Sequence, residues 1–246
     1  MKRVAIHQPN YLPWLGYFYK IFAADQFIFL DDVAYSKGSY TARTSRRNGF
    51  GQTDKSYLSV PVKKHHLGTA IKALEINHLQ DWPARHLNCL IDSYRKAPFF
   101  EKYFPALEAW FQHAFEFELL SNWNIYLVQE VSQMLGLDCQ FINAASIPVS
   151  GKGPDYLLAL VRYRGGEAYI SGAGGRKYQD PGQFLSAGID LKYQDLYPFL
   201  EQYPYSQFQG PWLNGLSVID ALMNIGEDAI LKIFQEYERG KQWSVC

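Results

Sequence analysis

Cysteine is scarce in this sequence, and the three residues present, Cys89, Cys139 and Cys246, are far apart. They include no CxxC pair, so neither a disulfide framework nor a zinc knuckle is indicated, and a reducing compartment is favoured. Long hydrophobic runs are missing as well. No stretch approaches the roughly 20 apolar residues of a membrane span, and the start of the chain lacks the apolar segment of a signal peptide. We therefore expect a cytoplasmic protein.

An excess of charge of one sign is also missing. Lys plus Arg and Asp plus Glu number 24 each, so the formal net charge is zero. No global field attracts nucleic acid or an anionic membrane, and we expect neither as a partner. The 246 residues are 48% hydrophobic, which is enough for the core of one α/β domain over residues 1–246. Aromatic residues reach 16%, which dense packing or an aromatic-lined pocket would each explain.

The first 30 residues predict a strand, a helix and a second strand. RVAIH and DQFIFLDD are β-branched or aromatic runs, and the helix between them starts at Pro13 or Trp14. Such a unit is typical of parallel sheets. CQFINAAS, EAYISGAGG and QFLSAGIDLKYQ supply further strands between helical patterns, and KSYLSVPV and AIKALEI predict two more. The expected fold is α/β, with a Rossmann-like, mostly parallel sheet.

A helical block at about residues 81–136 separates these α/β pieces. Asp81 is expected to cap its first helix, and Ser121 or Asn122 its last, which Gly136 would end. The chain closes with LSVIDALMNIGEDAILKIFQEY, which Gly226 is expected to break into two helices. The block is therefore read as a helical insertion, followed by C-terminal helices.

The joint between the first strand and helix carries more polar and aromatic groups than a turn requires: His7, Gln8, Asn10, Tyr11 and Trp14. Ligands of parallel α/β sheets bind beyond the carboxyl ends of strands, where helix N-termini favour phosphate. The joint is therefore a candidate site for the anionic part of a substrate. The structural alternative is a satisfied histidine beside a core tryptophan.

The segment DDVAYSKGSYTARTSRRNG follows the second strand and is locally basic. Arg43 and Arg46 are the predicted phosphate-binding cations, because guanidinium groups hold phosphate with two hydrogen bonds. Asp31 and Asp32 are candidate ligands for Mg²⁺. A solvated loop held by its own salt bridges would explain the same residues.

The third candidate segment, YISGAGGRKYQD, is a strand that runs into a glycine loop. Ser171, Gly172, Gly174 and Gly175 could bring backbone N–H groups to an anion, and Lys177 could add a positive charge. No GK[ST] follows, so this is not a Walker motif, and an ordinary turn is the alternative. We expect residues 171–177 to lie beside residues 7–16 at one end of the sheet.

Several of these segments together resemble the WbqC-like protein family: IHQPNYLPWLGYFYKI, DDVAYSKGSYTARTSRRNG with LSVPV, YISGAGGRKYQD and LSVIDALMNIG. Relatives tend to read Asn-Arg where this chain has Ala42-Arg43. The family is known mainly from bacterial surface-polysaccharide (O-antigen) gene clusters. The resemblance implies a role in the assembly of such polysaccharides.

A more distant resemblance is to the nucleotidyltransferase branch of the HUP superfamily, in which a (H/T)xGH motif at the first strand–helix joint grips ATP phosphates. Gly16 stands in the place of the glycine, but Tyr17 replaces the second histidine. The resemblance implies a HUP-type fold with a nucleotide site.

The residues and resemblances predict an enzyme of surface-polysaccharide precursor synthesis that binds a small, nucleotide-linked substrate. It would transfer or activate a small group, with ATP or a nucleotide-sugar and Mg²⁺ as possible cofactors. His7, Arg43 and Lys177 are the candidate catalytic residues. The candidate binding residues are Gln8, Asn10, Tyr11, Trp14, Gly16, Arg46, Ser171, Gly172, Gly174 and Gly175. Two alternatives stay open: a glycosyltransferase using a metal at Asp31 or Asp32, and a non-catalytic binding partner in a biosynthetic complex.

Overall fold

A five-stranded parallel sheet lies at the centre of the structure, a computed structural model that describes residues 1–208 and 210–240. Within these residues the strands are β1 (Arg3–His7), β2 (Gln26–Phe29), β3 (Arg43–Arg47), β4 (Lys55–Ser59), β5 (Gln140–Asn143), β6 (Ala168–Gly172) and β7 (Asp190–Gln194). The central sheet has the order β5-β2-β1-β6-β7, and β3 and β4 form a separate antiparallel hairpin. The predicted α/β fold with a mostly parallel sheet is confirmed, and it is compatible with a Rossmann-like fold.

The sheet reverses its direction of growth once. From β1 the chain adds β2 and then β5 on one side, and it returns to add β6 and then β7 on the other. The reversal places β1 and β6 side by side, with Val4 aligned with Tyr169. Neighbouring strands whose chains leave in opposite directions open a crevice beyond their carboxyl ends. The N-terminal strand therefore borders the place where such sheets bind ligands.

Helices cover both faces of this sheet. Their bounds are α1 (Leu15–Phe22), α2 (Trp82–Tyr94), α3 (Phe100–Gln112), α4 (Leu120–Met134), α5 (Gly153–Tyr163), α6 (Pro181–Ser186), α7 (Leu196–Gln202) and α8 (Val218–Gly240). Gly226 interrupts α8 with a φ of 75°, which confirms the predicted break. None of these helices is long and apolar enough to cross a membrane.

Two hydrophobic cores lie on opposite sides of the sheet. Successive residues of a strand point to opposite faces, and β1 follows this rule: Val4 and Ile6 join the smaller core with α5 and α6. Ala5 joins the larger core with α1, the insertion helices and α8. Because both faces are covered, all four residues of β2 are buried, as parallel sheets require.

The predicted helical insertion is present as α2, α3 and α4. The Asp81 carboxylate accepts the Ala84 N–H, which confirms its capping role, and Gly136 follows α4 with a φ of 62°. The cap at Ser121 or Asn122 was wrong. The helix starts at Leu120, two residues before the start that a cap at Ser121 would give, and the Leu120 N–H is satisfied by the Leu74 carbonyl at 2.9 Å.

The predicted strand in AIKALEI was also wrong. Residues Ile71–Ala73 form a 3₁₀ turn. Beyond it, Glu75 pairs with Leu119 while Ile76 pairs with Val62. Because the two residues pair with different segments, the stretch makes isolated bridges and no continuous ladder.

The basic segment is largely folded into the interior. Arg47 is 1% exposed, and it donates to the backbone oxygens of Gln52 and Pro211 and to Gln207 Oε1, at 2.5–2.8 Å. Asp220 lies in the same buried network, where burial raises the pKa of its carboxyl to about 6 while Tyr205 donates to it. A buried guanidinium with several acceptors fixes the chain around it. Arg47 therefore ties the hairpin to the segment before α8.

We expect Arg47→Met to lower the free energy of unfolding by about 2–4 kcal/mol, because the side-chain oxygen of the buried Gln207 and two backbone carbonyls lose a charged donor. Arg95, which is exposed at the C-terminal end of α2, is the matched control, and Arg95→Met should change stability by less than about 0.5 kcal/mol. Urea unfolding followed by circular dichroism measures both. Equal stability of the two variants would show that the Arg47 contacts contribute nothing to the fold.

Candidate functional site

A cleft opens at the reversal point of the sheet, beyond the carboxyl ends of β1 and β6. It has a volume of about 320 Å³. His7, Gln8 and Lys20 line it from the first β–α unit, and Ser171, Gly172, Gly174 and Gly175 line it from the glycine loop, together with other residues. We name it the loop cleft. The structure thus brings together the joint at residues 7–16 and the loop at residues 171–177.

The joint itself has a strained backbone at Leu12. Its φ of 38° is the one positive value of a non-glycine residue in the described part of the chain, and such a conformation costs about 1–3 kcal/mol. Two hydroxyls hold the Leu12 carbonyl: Thr44 Oγ1 at 2.7 Å and Ser217 Oγ at 2.8 Å. The hairpin and the start of α8 therefore fix the joint from opposite sides.

Further bonds hold the rest of the joint. The Asn124 side-chain amide donates to the carbonyls of Pro9 at 2.9 Å and Thr41 at 2.7 Å. Tyr11 N–H donates to Tyr40, and Val218 N–H donates to Pro13. A loop held at so many points is preorganised, which reduces the entropy lost when a ligand binds.

His7 is a neutral hydrogen-bond acceptor toward the cleft. Its Nδ1 lies 3.1 Å from the Gln8 carbonyl, and since a carbonyl only accepts, Nδ1 carries the proton and Nε2 has the free lone pair. Burial and the nearby Lys20 lower the pKa of His7 from 6.5 to about 3. A base this weak orients a hydroxyl or an amine better than it removes a proton.

Lys20 is a site residue that the sequence analysis missed. It lies on α1 and is 2% exposed, its Nζ donates to the Ile6 carbonyl at 2.7 Å, and burial lowers its pKa to about 7. Its side chain lines the loop cleft and an adjoining cleft of about 210 Å³ that also includes Gly16 and Asp195. The apolar positions of α1 recur at Leu15, Phe18 and Phe22, so Lys20 falls on the opposite, polar side of the predicted helix, and nothing in the sequence shows that it is buried at a cleft.

Two glycines allow the chain to pack closely around these clefts. A Cβ on Gly175 would lie 2.4 Å from Ser171 Oγ and from Gln179 Oε1, and a Cβ on Gly16 would lie 2.2 Å from the Trp14 ring. Real Cβ atoms do not come this close, so any side chain would force the loop or the ring to move. In contrast, Gly172 and Gly174 have open space where a Cβ would be and present bare backbone to the cleft.

An aromatic pocket of about 280 Å³ adjoins the loop cleft at His7. Trp14, Tyr40 and Tyr197 form its walls, and Asn10, Thr44 and Lys55 add polar groups. The Trp14 and Tyr197 rings are tilted, with centroids 5.4 Å apart. Tyr40 and Tyr197, which the sequence analysis also missed, come from distant segments, so no local motif marks them. His7 stands between a polar cleft and an aromatic one.

Four predicted site residues lie outside these clefts. Tyr11 is fully buried and donates to His86 Nδ1 at 2.8 Å. Arg46 is buried against α2, with Nη1 bonded to the Arg47 carbonyl and to Ser93 Oγ. Arg43 places its guanidinium 4.3 Å from the Tyr57 ring centre, and Lys177 points to solvent. The predicted binding roles of Tyr11 and Arg46 are thus corrected, because both side chains are used inside the fold.

The candidate metal ligands do not face the clefts either. Asp31 is buried and accepts the Ala145 N–H at 3.2 Å, while Asp32 accepts the Tyr156 hydroxyl at 2.5 Å. No group of three His, Cys, Asp or Glu residues in the described ranges is arranged to hold a metal. Asp31 and Asp32 therefore do not form a Mg²⁺ site in the cleft.

Comparisons with known proteins support a family but not a reaction. The sequence model of the WbqC-like protein family matches residues 8–232. The chain is 27% identical over 233 residues to a Mycobacterium tuberculosis (strain H37Rv) protein called "Uncharacterized protein Rv1507c", an alignment covering 93% of this chain and 96% of that one. No solved structure matches the chain. The match begins inside the joint and includes the glycine loop and the start of α8.

The neutral state of His7 predicts a pH effect on stability. Between pH 6.5 and about 3 the unfolded chain binds a proton at residue 7 that the folded chain does not, so unfolding becomes easier as the pH falls. Between pH 6.5 and 4.5, we expect the free energy of unfolding of wild type to fall by about 1–2 kcal/mol more than that of His7→Gln. This figure is reduced because the His7 ring is partly exposed to solvent. Urea unfolding at both pH values measures the difference.

His86, whose pKa burial lowers to about 4, is present in both proteins and cancels in this comparison. The exposed His66 supplies the control, and His66→Gln should keep the wild-type dependence on pH. Parallel pH profiles for wild type and His7→Gln would contradict a buried, neutral His7.

Proposed function

The chain belongs to the WbqC-like protein family, and we propose that it is an enzyme that binds a nucleotide or a nucleotide-sugar. It transfers or activates a small group during the assembly of surface-polysaccharide (O-antigen) precursors. The observation that supports this proposal best is the loop cleft at the point where the sheet reverses. Open parallel sheets bind nucleotides at this position more than at any other.

The anionic part of the ligand would lie in the loop cleft. Gly172 and Gly174 leave their backbone uncovered there, and Gly16 in the first turn of α1 lines the adjoining cleft. Backbone N–H groups and the partial positive charge of a helix N-terminus both favour a phosphate. Bare backbone also lets a diphosphate approach without meeting a side chain.

The ring-shaped part of the ligand, a sugar or a base, would lie in the aromatic pocket. Trp14, Tyr40 and Tyr197 offer flat apolar faces, while Asn10 and Thr44 offer hydrogen bonds. Sugar rings and bases combine an apolar face with polar edges, and pockets with this mixture suit them. Lys55 belongs to the wall as well, but its ammonium already donates to the Asn214 carbonyl.

His7 would connect the two parts. Its Nε2 accepts a hydrogen bond, so it would orient a hydroxyl or an amine of the group that receives the transfer. Reactions of the phosphoryl-transfer type depend mainly on positioning and on charge stabilisation. A weak base that fixes an acceptor is consistent with such a reaction.

The test is a calorimetric titration with ADP, ATP, UDP, UDP-glucose and GDP-mannose, with and without Mg²⁺. We expect at least one compound to bind, and His7→Ala to weaken that compound about tenfold, or ~1.4 kcal/mol, because its acceptor atom is lost. The melting temperature should change by less than about 3 °C. If His7→Ala bound normally but melted far earlier, His7 would be a structural residue, and if no compound bound, the proposed function would be wrong.

The aromatic pocket gives a second, separate prediction. Tyr197→Ala should weaken a bound nucleotide-sugar about three- to tenfold, because stacking and hydrophobic contact with one ring contribute about 0.5–1.5 kcal/mol. Tyr163, which is 53% exposed on α5, is the matched control, and Tyr163→Ala should bind like wild type. The same titrations measure both, and equal weakening by the two variants would remove the pocket from the site.

A further inference from the structure

Lys20 is the one residue of the clefts whose presence the packing does not explain. It is 2% exposed on a helix beside the larger core, and its ammonium donates to the Ile6 carbonyl, 2.7 Å away. None of the ion pairs in residues 1–208 and 210–240 includes it. A buried ammonium without a carboxylate is destabilising, and a methionine would fill the same space without a charge.

The groups that face Lys20 across the clefts bring no full negative charge close to it. His7 is neutral, and burial raises the pKa of Tyr17 and Tyr169, so both remain neutral phenols. Tyr178 is exposed at the rim of the loop cleft. Asp195 lies at the rim of the adjoining cleft, where its carboxylate caps α7 through the Tyr197 N–H.

The cleft therefore contains the amine of Lys20 without a nearby carboxylate, beside uncovered glycine backbone. We propose that Lys20 is the residue that binds the anionic group of the ligand, and that it takes up a proton as the ligand binds. This inference rests on the proposed function and assigns the phosphate-binding charge to a residue on α1, in place of Arg46. The ligand class is a tetrahedral dianion, such as the terminal phosphate of a nucleotide.

The proton balance follows from burial. Without a ligand, desolvation holds the pKa of Lys20 near 7, so much of the amine is neutral above that pH. A dianion beside Nζ favours the ammonium form and raises its pKa. At pH values between the free and bound midpoints, the neutral amine gains one proton from solvent for each ligand bound. Between these two midpoints, affinity for an anion of constant charge should therefore fall by about tenfold for each pH unit.

Inorganic sulfate is a suitable probe, because it stays a dianion throughout this pH range. The experiment follows the Cε resonance of ¹³C-lysine-labelled full-length protein from pH 5 to 11, with Lys20→Met to assign the signal. We expect a midpoint near 7 without sulfate, and a midpoint at least one pH unit higher with saturating sulfate. Lys64 is exposed and is the control, and Lys64→Met should leave the Lys20 titration unchanged.

Two variants of Lys20 distinguish the effect of its positive charge from the effect of its proton uptake. Lys20→Met should weaken sulfate binding at least tenfold at pH 7, while Lys20→Arg, which does not lose its proton, should bind with an affinity that is nearly constant from pH 7 to 9. Circular dichroism reports whether each variant folds. If either is unfolded, the wild-type titration with sulfate still decides the question.

The outcomes distinguish this inference from the proposed function. A free midpoint near 10.5, or a midpoint that sulfate does not move while cleft resonances shift, would overturn the role of Lys20 and leave nucleotide binding intact. Sulfate that shifts exposed lysines equally, with no effect centred on the cleft, would overturn it as well. A sulfate-sensitive Lys20 in a protein that binds no nucleotide would support the anion site and contradict the proposed function.

Discussion

The carbonyl oxygen of Leu12 accepts hydrogen bonds from two hydroxyls, and the geometry of the clefts depends on this pair. Leu12 has a left-handed backbone conformation, which a leucine adopts only when its surroundings impose it. Thr44 and Ser217 supply those surroundings from the hairpin and from the residue before α8. The turn they stabilise directs His7 and Trp14 into neighbouring clefts. Segments far from the ligand thus determine the shape of the site.

The positive charges of the chain are divided between the interior and the site in an unexpected way. The arginines that look like phosphate ligands are used to hold the hairpin: Arg46 bonds to α2, and Arg47 bonds to the segment before α8. Lys20 and Asp195 line the loop cleft or the adjoining cleft, and Lys55 lines the aromatic pocket. A guanidinium remains charged at any physiological pH, whereas a buried lysine amine exchanges its proton. In the role proposed for it, Lys20 would make the charge of the site respond to its ligand.

The sequence correctly predicted those parts of the fold that depend on interactions between residues close together in the chain. The cap at Asp81 and the break at Gly226 were read correctly, because both act within one turn of their own helix. The cap predicted at Ser121 failed because the Leu74 carbonyl, which is distant in sequence, satisfies the helix start. Residue type and position within a motif predicted that His7 and the glycine loop would lie at strand ends.

The residues that were misassigned or missed differ from Asp81 and Gly226 in one physical respect. Their structural role is decided by segments that are distant in the sequence. Tyr11 meets His86, and Arg46 meets Ser93, so both lose the exposure that a binding role needs. Lys20 was missed because it falls on the polar side of the amphipathic pattern of α1, where an exposed lysine is expected, whereas the structure leaves it only 2% exposed. Only the sheet order shows that the inner side of α1 borders a cleft.

The pairing of β1 with β6 also has a consequence for how the chain folds. Lys2 and Glu167, which meet at the start of this pairing, are 165 positions apart. Synthesis proceeds from the N-terminus, so β1 can pair with β2 early but must wait for β6 until two thirds of the chain exist. Long-range pairings of this kind form slowly, because the loop must close before contacts compensate for its entropy. During that interval β1 presents an open, apolar sheet edge, which makes the nascent chain prone to aggregation and dependent on rapid completion.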